Sequence, residues 1–274
     1  MELSKEELLK LKNLVKEKTG INIDDSKLFK IYKIKFEKLL NEKGYSSVEN
    51  FLKDLENNSS LLSRLIETVT VNETYFFREN YQFETLVKTI LPDLVKEKKE
   101  IKILCAPCSS GEEVYSIAIY LLEEKDLIDK ADFILVGIDI DKTVIEKAKS
   151  GIFNKRSVQK LPFQLLEKYF DKVSNERYQI KDFIRKSVTF ETANILKKED
   201  LEKLGKFDVI FSRNLLIYFD EKTREKALMN FYSLLHEGGY LFLGHAEKIP
   251  PTLSSIFKRE KLGESFVYRK VSTN

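Results

Sequence analysis

The sequence predicts an α/β fold: a doubly wound, Rossmann-like sheet, preceded by an all-helical segment and interrupted by a small antiparallel β insertion. Three observations predict it. Apolar residues recur at helical spacing to about residue 99, short apolar runs then alternate with amphipathic stretches, and the punctuation between them is sparse. Ten Gly and five Pro among 274 residues are about half the usual share of roughly 12%. Low-complexity linkers and Gly-rich disorder are therefore excluded. Hydrophobic residues at 42% and charged residues at 33% describe a chain that buries a core and keeps a well-charged surface.

The elements follow in order. Ser4 with Glu7 three positions later is a capping box, and Leu8, Leu11, Leu14 and Val15 share one stripe of the helix behind it. Gly20 stands where a left-handed residue stops a helix. Further helices are predicted over about 24–43, from Ser47 through Phe51 and Leu55, from Ser60 through Leu65 and Val69, and over 81–98. Strands at 101–106, 133–139, 188–193, 209–212 and 240–244 alternate with helices at 112–124, 142–150 and 221–235, which is the pattern of a parallel sheet wound on both faces. Segments 257–261 and 266–270 around Gly263 read as a closing hairpin. The insertion, at about 155–187, reads as a helix at 162–170 and short strands at 177–181 and 183–187, placed where βαβ folds carry functional loops or partner sites.

Several function classes drop out. No two glycines have one residue between them, so the G-x-G-x-x-G dinucleotide fingerprint is absent, as is G-x-x-x-x-G-K-[ST]. A net charge of +3 is too small to indicate a nucleic-acid protein. The first residues lack the apolar core of a signal peptide, and no run reaches the ~18 apolar residues of a membrane span. A cytoplasmic protein without membrane insertion is expected. Cys105 and Cys108 form one C-x-x-C without a second ligand pair, and His236 and His245 are remote, so no metal site is expected and buried thiols beside a strand end are the preferred reading.

In a doubly wound sheet the ligand lies off the carboxyl ends of the strands. The first strand runs into Cys105-Ala106-Pro107-Cys108-Ser109-Ser110-Gly111, small residues that admit a ligand to the backbone, with Gly111 supplying the permissive turn. The second ends at Asp139, suited to both hydroxyls of a ribose. Carboxylates at 112, 113, 139 and 141 repel a pyrophosphate. The ligand class is therefore a phosphate-free, cationic nucleoside, and S-adenosylmethionine fits it.

Four segments carry a more specific pattern: Asn72-Glu73-Thr74-Tyr75-Phe76-Phe77-Arg78, the stretch 108–116 around Gly111-Glu112-Glu113, Arg213-Asn214-Leu215-Leu216-Ile217-Tyr218-Phe219, and Gly244-His245-Ala246-Glu247. Together they resemble the CheR-type chemotaxis receptor methyltransferases, which methylate glutamate side chains of bacterial chemoreceptors. The resemblance covers nearly the whole chain. It implies a class I methyltransferase sheet at 80–274 using S-adenosylmethionine and releasing S-adenosylhomocysteine, behind an N-terminal helical receptor-docking domain at 1–79. It implies that Asn72, Thr74 and Arg78 border the cofactor, that Glu113 holds its amino end beside the cofactor-binding turn at Gly111, that Asp139 holds the ribose, that Asn194 and Ile195 lie by the adenine, and that Asn214 and Leu215 line the sulfonium side. Arg78 and Tyr218 are the implied catalytic residues.

The resemblance also implies a cytoplasmic receptor helical bundle as partner, no nucleic acid, and a monomeric enzyme. On a helical wheel the segment 27–40 gathers Leu28, Phe29, Tyr32, Phe36, Leu39 and Leu40 toward the core. Lys27, Lys30, Lys33, Lys35 and Lys38 spread over the other side with Ile31 and Ile34, giving a local excess of basic charge for docking an acidic helix. Some family members clamp a receptor C-terminal peptide on the β-subdomain. The connection 171–177 is shorter here and lacks glycine, which argues against that mode. Two rival readings are a nucleic-acid methyltransferase, opposed by Arg213-Asn214-Leu215-Leu216 in place of an N-P-P-Y motif, and a cofactor-sensing module without catalysis.

Overall fold

The computed structural model describes residues 2–272. Its N-terminal part is helical, with helices at Lys5–Thr19, 25–42, Val48–Leu55 and Ser59–Val69. Ser4 and Glu7 form the capping box, and Gly20 ends the first helix at φ 78°. The second helix is continuous but carries a π turn over Leu28–Tyr32. One apolar cluster, built on Leu8, Leu11, Val15, Phe36, Phe51 and Leu65, fills the space between these helices. Phe29 is not part of it: the residue is 38% exposed, because the π turn advances the helix by less angle per residue than the uniform wheel assumes.

A long helix over 81–97 leads to β1, Glu100–Cys105, and the sheet continues with β2, Asp132–Asp139. The insertion contributes β3, Ile152–Asn154, β4, Phe170–Ser174, and β5, Arg177–Ile180. The main sheet resumes with β6, Val188–Thr192, β7, Phe207–Ser212, β8, Leu235–Leu243, β9, Phe257–Leu262, and β10, Ser265–Lys270. Its order is β6-β2-β1-β7-β8-β10-β9, and the small sheet is β3-β5-β4. The first five strands are parallel, and β10 and β9 close the sheet antiparallel. Every residue of β7 is buried, as a central parallel strand covered on both faces requires. Winding reverses between β1 and β7, so the crevice of a doubly wound sheet opens there.

The insertion differs from its expectation. Residues expected as a strand at 183–187 form a short helix, Asp182–Arg185, in which Arg185 pairs with Asp182 one turn back. Residues 171–174, expected as a bare connection, are β4, and β3 precedes the expected start of the insertion. Only Phe170 of β4 is buried, so the strand has no apolar alternation to announce it. Its pairing is supplied by β5, through backbone bonds that side-chain pattern does not encode.

The helical part is bound to the sheet on both sides of the crevice. Ile21 bridges to Phe219, and Asn22 N donates to Tyr218 O at 2.8 Å. Lys16 pairs with Asp220, and Asn194 Nδ2 donates to Lys18 O at 3.0 Å. On the opposite lip, Thr70 Oγ1 and Asn72 Nδ2 donate to Asp141 Oδ2 at 3.1 and 3.0 Å. No helix among the described residues is long and apolar enough to cross a membrane.

Candidate active site

Off the carboxyl ends of β1, β2 and β7 lies a cleft of about 1050 Å³ including its mouth. Segment 69–74, Arg78 and the end of the first helix form its other wall. Asn72, Thr74, Arg78, Glu113, Asp139, Asn214, Leu215 and Tyr218 all line it, although they come from positions nearly 150 residues apart. Four non-glycine residues among those described have positive φ: Phe77 (61°), Glu79 (52°), Ser109 (48°) and Asn214 (58°). All four lie in or next to the loops that build this cleft. Left-handed backbone at ordinary residues costs on the order of 1–3 kcal/mol each and persists where surrounding structure fixes it.

Asp139 sits on the floor. Its Oδ2 accepts from Ser109 N and its Oδ1 from Asp141 N, both at 2.9 Å. Burial pushes its carboxyl up to about 6, against the opposing pull of these two backbone donors. Each oxygen keeps a lone pair for a further donor. Glu113 is buried beside Arg213, whose Nε lies 2.8 Å from Oε2, while Oε1 has no hydrogen-bond partner among the described residues. Burial raises its carboxyl above the usual range, and the Arg213 charge draws it back down.

The expected set of four carboxylates reduces to these two. Glu112 faces away, accepting from Ser110 Oγ at 2.7 Å and Ser157 Oγ at 3.0 Å, and so fastens the insertion to the helix. Asp141 caps the helix at Lys142–Ser150 through Thr143 N and holds Thr70 and Asn72. Adjacent residues on a helix start point in different directions, which a count of acidic residues along the chain does not register. Gly111 is likewise outside the cleft. A Cβ there would lie 3.0 Å from Ala148 and from Phe190, so its role is the turn, at φ 95°, and close helix packing.

Asn194 and Ile195 line an annex that shares Pro107, Asp139 and Leu215 with the main cleft. The Asn194 amide is already engaged, with Nδ2 on Lys18 O and Oδ1 accepting from Leu196 N at 2.9 Å. Its position offers a wall of the annex rather than a free amide. Arg78 reaches the cleft with Nη1 on Glu73 O at 2.9 Å. The Tyr218 hydroxyl is raised by burial, and the nearby Arg78 charge opposes that.

Four positions at or behind the cleft had no role in the sequence reading. Arg213 is buried behind Glu113. Glu247 accepts from Asn214 N and Gly244 N, both at 2.9 Å, and from Ile217 N at 3.3 Å, fixing the loop that carries Asn214 to Tyr218. Both stand inside the quoted motifs, so the signal was present but not their partners. Thr19 and Ile21, from the first helix's end, reach the cleft with no local sequence signal. Cys105 and Cys108 are free and buried, and burial pushes both thiols well up.

The donors and acceptors fit one ligand type. A buried carboxylate oxygen without a partner suits an ammonium, a second carboxylate with open lone pairs suits ribose hydroxyls, and no phosphate-binding glycine loop intervenes. Fold and cleft together fit a protein that binds a phosphate-free cationic nucleoside such as S-adenosylmethionine. Comparison with known proteins narrows this. The family model for the CheR methyltransferase, SAM binding domain, matches residues 72–265. Chemotaxis protein methyltransferase 2 of Vibrio cholerae serotype O1 is 42% identical over 261 residues, covering 93% of this chain and 89% of that protein. Chemotaxis protein methyltransferases of Borreliella burgdorferi and Campylobacter jejuni subsp. jejuni serotype O:23/36 are each 36% identical, over 256 and 265 residues. These cover 90% and 97% of this chain, and 89% and 96% of their own lengths. The chain belongs to the CheR methyltransferase family, and its cofactor is S-adenosylmethionine.

The basic helix face is more selective than its composition. Ile31 and Ile34 are 50% and 66% exposed. Lys33 pairs with Glu2 and Glu37, and Lys38 with Glu42. Lys35 lies over the Tyr32 ring and donates to Thr68 O at 3.2 Å. Lys27 and Lys30 are exposed, and neither enters an ion pair among the described residues.

Proposed function

We propose that this enzyme transfers the methyl group of S-adenosylmethionine to glutamate side-chain carboxylates of a chemoreceptor's cytoplasmic helical bundle, forming methyl esters. The observation that carries this reading is the placement of Arg78 and Tyr218 on the lining of one cleft whose floor is Glu113 and Asp139. When bound, S-adenosylmethionine supplies a methyl on a sulfonium, and its passage to a carboxylate oxygen leaves S-adenosylhomocysteine with no proton moved. A glutamate with an ordinary carboxyl near 4.3 is already ionised at neutral pH, so no general base is required.

The residues then have positioning tasks. Glu113 Oε1 meets the ammonium, and Asp139 accepts from the ribose. Arg78 receives the incoming carboxylate. The Tyr218 phenol, kept protonated by burial, donates to the same group or packs beside the methyl. Contact with a guanidinium lowers carboxylate nucleophilicity, so Arg78 acts through alignment in a water-poor cleft. The exposed Lys27, Lys30, Ile31 and Ile34 offer a mixed basic and apolar face to an acidic receptor helix.

Labelled S-adenosylmethionine incubated with a cytoplasmic receptor fragment tests the reaction: a base-labile methyl ester on glutamate is expected, and its absence overturns the reading. Arg78→Ala and Tyr218→Phe are expected to bind S-adenosylhomocysteine within about threefold of wild type by calorimetry while losing at least about 100-fold in transfer. Wild-type turnover in both variants removes the role assigned to this pair.

A further inference from the structure

We infer that Arg213 is a positioning residue that ties the carboxylate of Glu113 to the backbone of Arg78, so one buried guanidinium aligns both halves of the reaction. The inference rests on the function proposed above, in which Glu113 faces the cofactor ammonium and Arg78 the incoming carboxylate.

Arg213 follows directly on β7 and is 6% exposed. Its Nε stands 2.8 Å from Glu113 Oε2, an ion-pair contact without hydrogen-bond alignment. From the same planar group, Nη2 donates to Arg78 O at 2.6 Å, and Nη1 reaches Gln82 Oε1 at 3.4 Å. Gln82 Nε2 in turn donates to Leu243 O at 2.8 Å, so the arrangement is anchored to the end of β8. The guanidinium also lies 5.2 Å from the Phe83 ring centroid.

Each contact has a distinct consequence. The charge beside Oε2 opposes the upward pull of burial on the Glu113 carboxyl, and it engages Oε2 while Oε1, buried at the cleft wall, has no hydrogen-bond partner among the described residues. The bond to Arg78 O holds a residue flanked by two left-handed neighbours, Phe77 and Glu79, whose loop has strain to release. An ammonium in place of the guanidinium supplies charge but lacks the rigid fork that serves Glu113 and Arg78 at once. A residue that only filled space would not separate these two effects.

The test compares S-adenosylhomocysteine with 5′-methylthioadenosine, the same nucleoside without the amino-acid arm. In Arg213→Met, S-adenosylhomocysteine is expected to bind at least about tenfold more weakly, and 5′-methylthioadenosine within about twofold of wild type. Arg213→Lys is expected to hold S-adenosylhomocysteine within about threefold yet lose at least about tenfold in kcat toward a receptor fragment with both substrates saturating. Equal weakening of both ligands in Arg213→Met overturns the link to Glu113, and full kcat in Arg213→Lys overturns the link to Arg78. If Arg213→Met does not fold, Arg213→Lys decides alone: affinity kept with transfer lost supports the inference, and both kept or both lost overturns it. Absence of ester formation by wild type, with the two-ligand contrast intact, overturns the proposed reaction and leaves the Glu113 link standing.

Discussion

At the residue scale, the floor of the cleft is a pair of buried carboxylates with different supports. Glu113 has an arginine beside it, whereas Asp139 relies on two backbone N–H groups and is pushed up to about 6. A ribose hydroxyl donates to the ionised form, so protonation competes with binding. Nucleoside affinity is therefore expected to fall as pH drops through about 6, weakening by about tenfold near pH 5. The sign for folding is opposite. Between the ordinary aspartate value and about 6 the native state binds more protons than the unfolded chain, so this residue stabilises the ligand-free protein as pH falls across that window. Calorimetric titration with 5′-methylthioadenosine isolates Asp139 from Glu113. Asp139→Asn is expected to bind weakly at all pH values and flatten the profile, and an unchanged slope in that variant refutes the assignment.

At the element scale, two glycines with nearly the same conformation make different demands. Gly20 and Gly44 end successive helices at φ 78° and 76°. A Cβ on Gly44 meets nothing within 4 Å, but on Gly20 it runs into Leu196, Thr223 and Phe219 of the sheet domain. Gly44→Ala is expected to cost about 1 kcal/mol in urea unfolding, the penalty of left-handed backbone alone. Gly20→Ala adds overpacking at the junction and is expected to cost about 2–4 kcal/mol. Equal losses in the two variants contradict a junction role for Gly20. Sequence pattern marks Gly20 as a helix stop and ends the next helix at about 43, just before Gly44, since that signal is local. It did not separate them, because the difference lies in residues about 175 to 200 positions away.

At the scale of the whole molecule, the N-terminal helices both complete the cleft and present the exposed basic face. Thr19 and Ile21 reach the cleft from the end of the helix that sends Lys16 to Asp220, so the proposed docking surface is tied to the domain that carries the cleft. Lysines already satisfied within the domain have less to offer a partner. Lys30→Glu is expected to raise the receptor KM by about threefold or more at low salt, with the effect shrinking as salt rises. Lys33→Glu, whose lysine is held by Glu2 and Glu37, is expected to change it less. S-adenosylhomocysteine binding stays unchanged in both. An identical receptor KM for wild type and Lys30→Glu removes this surface from docking.

The sequence by itself determined the order of helices and strands, the place of the crevice and most of its lining, because periodicity, caps and the motif segments are local or quasi-local signals. Glu113 and Asp139 were legible as carboxylates at the strand ends, and Asn72, Thr74, Arg78 and Tyr218 through the resemblance of their motif segments to the family. Only the tertiary structure decided which neighbours of those residues share their surroundings. It turned Glu112 and Asp141 to structural duty, removed Gly111 from the cleft, committed the Asn194 amide to the first helix and set Arg213 between Glu113 and Arg78. It also made β4 a strand, through hydrogen bonds to β5 rather than through its own side chains. The physical reason is common to all of these. Side-chain direction, burial and pairing arise from contacts between distant segments, and a residue's identity fixes what it can do but not what it will face.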